Sequence, residues 1–298
     1  MFDTRPMLDC AGRTLLLDQP QVMGIVNVTP DSFSDGGRHD DLESALAHAL
    51  LLVEQGATIL DIGGESTRPG AEPVPLEEEL RRVVPLIEQL AQRTEVPISI
   101  DTFKPEVMRA AVAAGAGMIN DICALQMPGA LEAAAELAVP VVLMHMQGEP
   151  RSMQQAPHYD DVVVDVHRFL AERIFAAEMA GIDKRRIVLD PGLGFGKNTE
   201  HNMRLLAELE RLGEFGLPVL AGFSRKRSIG ELTGREVPSE RVYGSVAAHL
   251  IAAQRGAKIL RVHDVAATVD ALKILQALPQ PRLTTETAAA PPRWLDDE

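Results

Sequence analysis

Residues 23–37, MGIVNVTPDSFSDGG, begin as an apolar run and end as a polar loop. Met23, Ile25, Val26 and Val28 read as a β-strand bound for a core, whereas Thr29, Pro30, Asp31, Ser32, Ser34, Asp35, Gly36 and Gly37 are turn and loop residues. A connector needs little more than one glycine or proline to turn. This one also carries two carboxylates and a phenylalanine, so we read it as a strand end that opens into a mobile functional loop.

The same rhythm of apolar run, polar or glycine-bearing loop and amphipathic run continues down the chain. Strands are expected at 23–28, 58–62, 98–101, 117–120, 141–145, 187–190, 219–222 and 259–262. Helices are expected near 42–55, 76–93, 105–114, 129–137, 161–180, 200–212, 240–255 and 266–277, with Gly56, Gly115, Gly181 and Gly256 just past four of them. Eight such units in 298 residues predict an α/β chain folded as a single-domain (β/α)8 TIM barrel over residues 22–278. An open doubly wound sheet has the same rhythm and stays as the alternative. Residues 1–21 read as an N-terminal flap with a short strand at 13–17, and residues 279–298 lose apolar periodicity and read as a flexible tail.

Composition narrows the function. A hydrophobic share of 46% is enough for a sizeable core, while the apolar runs at 137–144 and 246–253, the second interrupted by His249, are too short to cross a bilayer. With no basic-then-apolar leader and only Cys10 and Cys123, the expected setting is soluble, reducing and cytoplasmic, with no membrane partner. A formal net charge of -14 argues against a nucleic-acid partner, which would be gripped by lysine and arginine. Local clusters of positive charge therefore carry information.

In a barrel, function collects at the C-terminal ends of the strands. The expected ends carry Asn27; Asp61 with Glu65; Asp101; Asn120 with Asp121; His145; Asp190; Ser224 with Lys226; and Arg261 with His263. Any one of these alone could be a cap or turn residue, but all of them on one rim form a candidate site. Three loops add to it. The loop at 63–70, GGESTRPG, sets Thr67 and Arg68 between glycines and a proline, which suits an anion or an aromatic ligand. The loop at 190–197, DPGLGFGK, lacks the spacing of a triphosphate loop, so its glycines are read as letting Asp190 and Phe195 approach a flat ligand.

The third loop, at 222–230, GFSRKRSIG, groups Arg225, Lys226 and Arg227 which, with Arg261 and His263, point to a multiply charged anionic substrate such as a phosphate ester. Solvent exposure of Arg227 and Arg225 is the plainer alternative for two of the three. Asp101, Asn120 and Asp190 could pair with a ring that presents several N–H donors. No Ser-His-Asp order, HExxH motif or loop cysteine points to nucleophilic or zinc hydrolysis, and His145, between Met144 and Met146, reads as a packed or supporting residue.

Taken in order, NVTPDSFSDGG, GGESTRPGA, SIDTFKPEV, INDI, LMHMQG, LDPGLGFGK, GFSRKR and RVHDV closely resemble the bacterial dihydropteroate synthases, the folate-pathway enzymes inhibited by sulfonamides. The resemblance implies a (β/α)8 barrel, a homodimer and bound Mg²⁺. It also implies a condensation of 6-hydroxymethyl-7,8-dihydropterin diphosphate with 4-aminobenzoate in which diphosphate departs first and the amine attacks a pterin methylene cation. By motif, Asp101, Asn120, Met144, Asp190, Phe195 and Lys226 would bind the pterin. Asn27, Arg68, Arg261 and His263 would handle diphosphate, with Asn27 also the metal contact. Phe33, Thr67, Pro69 and Lys226 would shape the aminobenzoate site. Arg227 stands where many relatives have Ser, so Ser228 joins that set in its place. Asp35, Asp101 and Lys226 are the implied catalytic residues, the carboxylates favouring the developing cation. Two alternatives stay open: a pterin-dependent methyltransferase, which would need neither the TRPG nor the PDSFSDGG loop, and a catalytically silent pterin-binding paralogue.

Overall fold

The computed structural model describes residues 5–28, 38–66, 71–148, 153–154 and 156–279, with the backbone alone at 38–40. Phe33, Asp35, Thr67, Arg68 and Pro69 lie outside the described residues, as does the expected tail from 280 onward.

The chain opens with an antiparallel hairpin, β1 (Met7–Cys10) and β2 (Arg13–Leu16), where a single strand was expected. Its turn is made at Ala11 and Gly12, both at positive φ (54° and 85°), and Gly12 N donates to Asp9 Oδ1 at 2.7 Å. Two consecutive left-handed residues match the right-handed twist of a hairpin. Alternation of strand and helix follows: β3 (Gln21–Asn27), α1 (Arg38–Glu54), β4 (Ile59–Gly63), α2 (Leu76–Ala91), β5 (Ile98–Asp101), α3 (Pro105–Ala114) and β6 (Met118–Asp121). The second half continues with α4 (Ala130–Leu137), β7 (Val141–Met144), α5 (Val162–Met179), β8 (Ile187–Asp190), α6 (Thr199–Ala207), β9 (Leu220–Ala221), α7 (Arg227–Thr233), α8 (Val242–Gln254), β10 (Ile259–Val262) and α9 (Val265–Gln276).

Strands β3 to β10 are parallel, in the order β8-β7-β6-β5-β4-β3-β10-β9. A parallel bridge between Leu189 and Val219, with Leu189 N donating to Pro218 O at 2.9 Å, joins the two ends and closes the barrel. The strands are buried on both faces, as helix-covered parallel strands must be; β5, β6, β7 and β8 are buried at every position. Helix α2 shows the outer layer's logic, burying Glu79, Val83, Leu86, Ile87 and Leu90 as one stripe of helical period.

One expected helix comes out differently, and one helix was not expected. The segment expected at 200–212 divides into α6 and a 3-10 stretch, Leu209–Phe215, that contains Gly213. Helix α7, inside the basic loop, was not expected, since seven residues are too few to show a period. Among the described residues no helix is long and apolar enough to cross a membrane.

The hairpin lies under the barrel. Leu8, Cys10, Leu15 and Leu17 pack with Met23, Ile59, Met118, Val142, Val188, Leu220 and Ile259, inward-facing residues near the strand starts. The contact is close enough that a Cβ on Gly117 would sit 2.3 Å from Cys10 O. Arg13 ties the hairpin to the wall by donating to Val96 O and Ala91 O at 2.9 and 2.8 Å. If this plug holds the floor, Leu15→Ala should cost about 2–5 kcal/mol in urea unfolding, the range for a buried leucine that leaves a cavity. A loss near zero with an unchanged denaturant slope would mean that the hairpin contributes little.

Candidate active site

Side chains alternate along a strand, so the floor residues fix what lies above them. Two residues beyond Ile59, Met118, Val142, Val188 and Ile259 stand Asp61, Asn120, Met144, Asp190 and Arg261, and Asp101 follows Ser99 on β5 by the same step. Register agrees, with Gly63 paired to Asp101, Asp101 to Asn120, and Met144 to Asp190. A ring that is polar except at Met144 thus sits on a layer that is apolar except at Ser99. Asp121, one residue out of phase, instead caps its own turn by accepting from Cys123 N (2.7 Å) and Leu125 N (2.9 Å).

Arg261 crosses this ring. Its Nε donates to Asp61 Oδ2 and a terminal nitrogen donates to Asp101 Oδ2, both at 2.6 Å, while Asn120 Nδ2 donates to the same Asp61 oxygen at 3.0 Å. Asp61 is fully buried and its Oδ1 has no hydrogen-bond partner among the described atoms. Burial lowers the basicity of Arg261, but Asp61 and Asp101 more than offset this and hold the guanidinium above its ordinary pKa. Asp101 is pushed upward by burial and by the Asp61 charge, with Arg261 opposing. One cation facing two acids leaves one acid in excess.

Across the ring, Asp190 Oδ1 accepts from Gly192 N at 2.7 Å, and burial raises its pKa against the pull of that bond and of Lys226. Lys226 donates to Leu193 O and lies 4.1 Å from the centroid of the Phe195 ring. Burial pushes this ammonium down to about 7 even though Asp190 favours its charge. Ser224 Oγ accepts from His263 N at 3.1 Å and lies 3.0 Å from His263 Nδ1. Asn27, half-buried, ends β3 with its Oδ1 beside Gly63 and near Asp101.

The basic triplet separates. Arg225 pairs with Asp264 through two nitrogens at 2.5 and 2.9 Å, Arg227 is exposed and bonds Glu231, and only Lys226 reaches the ring. Ser228 is buried on α7, where Asn202 Nδ2 donates to it at 3.0 Å.

Several supporting residues escaped sequence reasoning. Asp61 appeared only as a strand end without a role; counting two residues on from an inward Ile59 would have placed it against the arginine. Glu79, at a buried position of the α2 stripe, accepts from Thr102 Oγ1 at 2.7 Å and from Lys104, whose ammonium also holds Glu65 (2.5 Å) and Val74 O (2.8 Å). A glutamate in an apolar stripe was the available signal. His249, at Nε2, accepts from Phe223 N at 3.2 Å and so fixes the exit of β9; burial pushes it down to about 4.

A family model described as pterin binding enzyme matches residues 23–263. The dihydropteroate synthase of Escherichia coli K12 is 57% identical over 266 residues, covering 89% of this chain and 94% of that one. A solved structure of Xanthomonas albilineans dihydropteroate synthase with 4-aminobenzoic acid is 72% identical, with a TM-score of 0.88, and the match covers 93% of this chain and all of the other. A second from that organism, in complex with 7,8-dihydropteroate, is 69% identical with a TM-score of 0.84, covering 92% of this chain and all of the other. Fold, ring and matches together define the class, a pterin-binding (β/α)8 barrel enzyme. Within it the chain belongs to the dihydropteroate synthases, which transfer a pterin group.

The depressed Lys226 pKa sets a sign for stability. Between about 7 and its ordinary value the unfolded chain holds a proton that the folded chain has released, so folding is favoured as pH rises through that window. Measured against Lys226→Met, the parent should therefore gain stability from pH 7 to pH 10 in urea titrations, about as far as the bases of this window reach. A difference that does not vary with pH would show that the ammonium is not held in a desolvated site.

Proposed function

We propose that the chain condenses 6-hydroxymethyl-7,8-dihydropterin diphosphate with 4-aminobenzoate to give 7,8-dihydropteroate and diphosphate, by departure of diphosphate before the amine attacks. The observation that carries this reading is Arg261 set between Asp61 and Asp101, with Asn120 and Asp190 on the same ring. Acceptors on this ring suit the N–H groups of a pterin, and Lys226 with Phe195 and Met144 completes its pocket.

Carboxylate and guanidinium lie within hydrogen-bond distance of each other, so charge separation in the C–O bond that breaks meets opposite charges already in place. Asp101 faces the methylene that becomes positive. Arg261 and His263 face the departing diphosphate, and Arg68 is assigned to it by its motif alone. The amine nitrogen then forms the new C–N bond and gives up its proton to water; the N-alkylated anilinium so formed is strongly acidic, so no strong base is needed. By their motifs, Phe33, Thr67, Pro69, Ser228 and Lys226 are assigned to the aminobenzoate and Asp35 to favouring the cation.

Mg²⁺ fits this arrangement in one way. Among the described residues no group of three or more His, Cys, Asp or Glu side chains forms a metal cage, and the oxygen at the rim is the neutral amide of Asn27. That donor suits an ion held mainly by phosphate oxygens and water, with Asn27 as a protein contact. When bound, the ion would offset charge on the leaving group.

A cytoplasmic homodimer completes the reading. Leu232, Val237, Tyr243, Ile251, Ile274 and Leu278 are exposed on or beside α7, α8 and α9, apolar side chains of the kind that subunit contacts cover. Cys10 and Cys123 are free thiols, in keeping with a reducing compartment.

Purified chain supplied with Mg²⁺ and both substrates should release diphosphate. Asp101→Asn should lower turnover on the order of a hundredfold or more, as loss of a preorganised charge does, with little change in melting. No release by the parent removes the synthase reading, and full activity in the variant removes Asp101 from the chemistry. In sedimentation the parent should run as a dimer and Tyr243→Asp as a larger monomer fraction; two identical profiles would place the contact elsewhere.

A further inference from the structure

The motif DPGLGFGK ends in Lys197, a residue that neither the ring nor the chemistry above employs. It is 2% exposed, and its amino group is enclosed by Gly192 O at 2.9 Å, Phe195 O at 3.0 Å, His145 Nδ1 at 2.9 Å and His145 O at 3.3 Å. These partners are main-chain carbonyls and an imidazole. Both protonation states satisfy them: an ammonium donates to the two nearer carbonyls and to Nδ1, and a neutral amine donates to the carbonyls and accepts from Nδ1–H. Without the amino group, inward-facing carbonyls would be buried with a partner lost, which favours movement of the loop.

What rides on this loop is the ring site. Gly192 N holds Asp190 Oδ1, Leu193 O receives Lys226, and Phe195 lies against the Lys226 ammonium. The loop has no slack against its neighbour, since a Cβ on Gly192, at φ 66°, would meet His145 O at 1.8 Å. His145 is in turn fixed edge-on to Phe169, with ring centroids 4.9 Å apart, and Tyr159 Oη donates to Gly196 O at 2.7 Å.

We propose that Lys197 is a positioning residue for the pterin ring: from beneath, it staples the 192–196 loop to His145 and so holds Asp190, Phe195 and Lys226 where the ring is bound. The inference rests on the pterin reading of that site. It assigns Lys197 no contact with substrate, and it makes the residue's influence larger for the pterin than for the aminobenzoate, because Asp190 and Phe195 serve the ring alone while Lys226 serves both.

The test uses the full chain as parent and as Lys197→Met, which keeps the stem and removes the amino group. Calorimetry with 6-hydroxymethyl-7,8-dihydropterin should show affinity weakened on the order of tenfold to a hundredfold in the variant, the scale on which small displacements act at a site. The KM for 4-aminobenzoate should change several-fold less than the pterin affinity, since only Lys226 belongs to both sites, and circular dichroism should be retained. Equal pterin affinity in the two proteins overturns the inference whatever happens to melting temperature, and so does an equal rise in both KM values. If the parent itself binds no pterin, the functional reading fails and takes the inference with it. If Lys197→Met does not fold, His145→Leu, which removes one partner of the amino group, is put through the same comparison with the same outcomes.

Discussion

One guanidinium shared by two buried carboxylates organises the upper half of this barrel. Placing Arg261, Asp61 and Asp101 together under the rim carries a desolvation cost on the order of several kcal/mol per ion, which the mutual contacts at 2.6 Å offset. The three come from β10, β4 and β5, so the pairing spans the barrel interior and holds only if the strands keep their register. A slip of one residue in β4 would turn Asp61 outward into the helix layer and leave the arginine with a single partner. The cluster therefore acts as a register lock as well as a site.

Around it, the walls are held mainly by contacts between a loop and something behind it. Lys104 gathers Glu65, Glu79 and Val74 O at the mouth of β4. Arg225 with Asp264, and Ser224 with His263, join the exits of β9 and β10. The rim can thus carry glycine-rich loops over an acidic interior without losing shape, because charged side chains from the next unit hold their main chains.

The fold was legible because its signal is repeated: each strand is a short apolar run with a polar residue at its end, and eight repeats outvote errors of a residue or two at boundaries such as 117–120 against Met118–Asp121. The ring residues were legible for a related reason, since Asp101, Asn120, Asp190 and Arg261 are polar where the strand pattern calls for apolar side chains. What could not be read was pairing at a distance. Nothing local to Arg225 tells that Asp264, 39 residues on, will hold it away from the ring. Nothing local to Lys197 tells that it meets His145, 52 residues earlier. The hairpin was half seen, because β1 is four residues long and gains its meaning only from the floor it plugs.

That floor also bears on synthesis. Leu8, Cys10, Leu15 and Leu17 are made well ahead of Leu220 and Ile259, yet they share one cluster with them. Contacts so remote in sequence are slow to form, so the part of the hairpin that meets β9 and β10 stays uncovered until those strands are made. A ribosome paused before residue 259 would hold an open barrel whose floor lacks β10 and whose acids lack their guanidinium, and quality control would meet it as one unfinished unit.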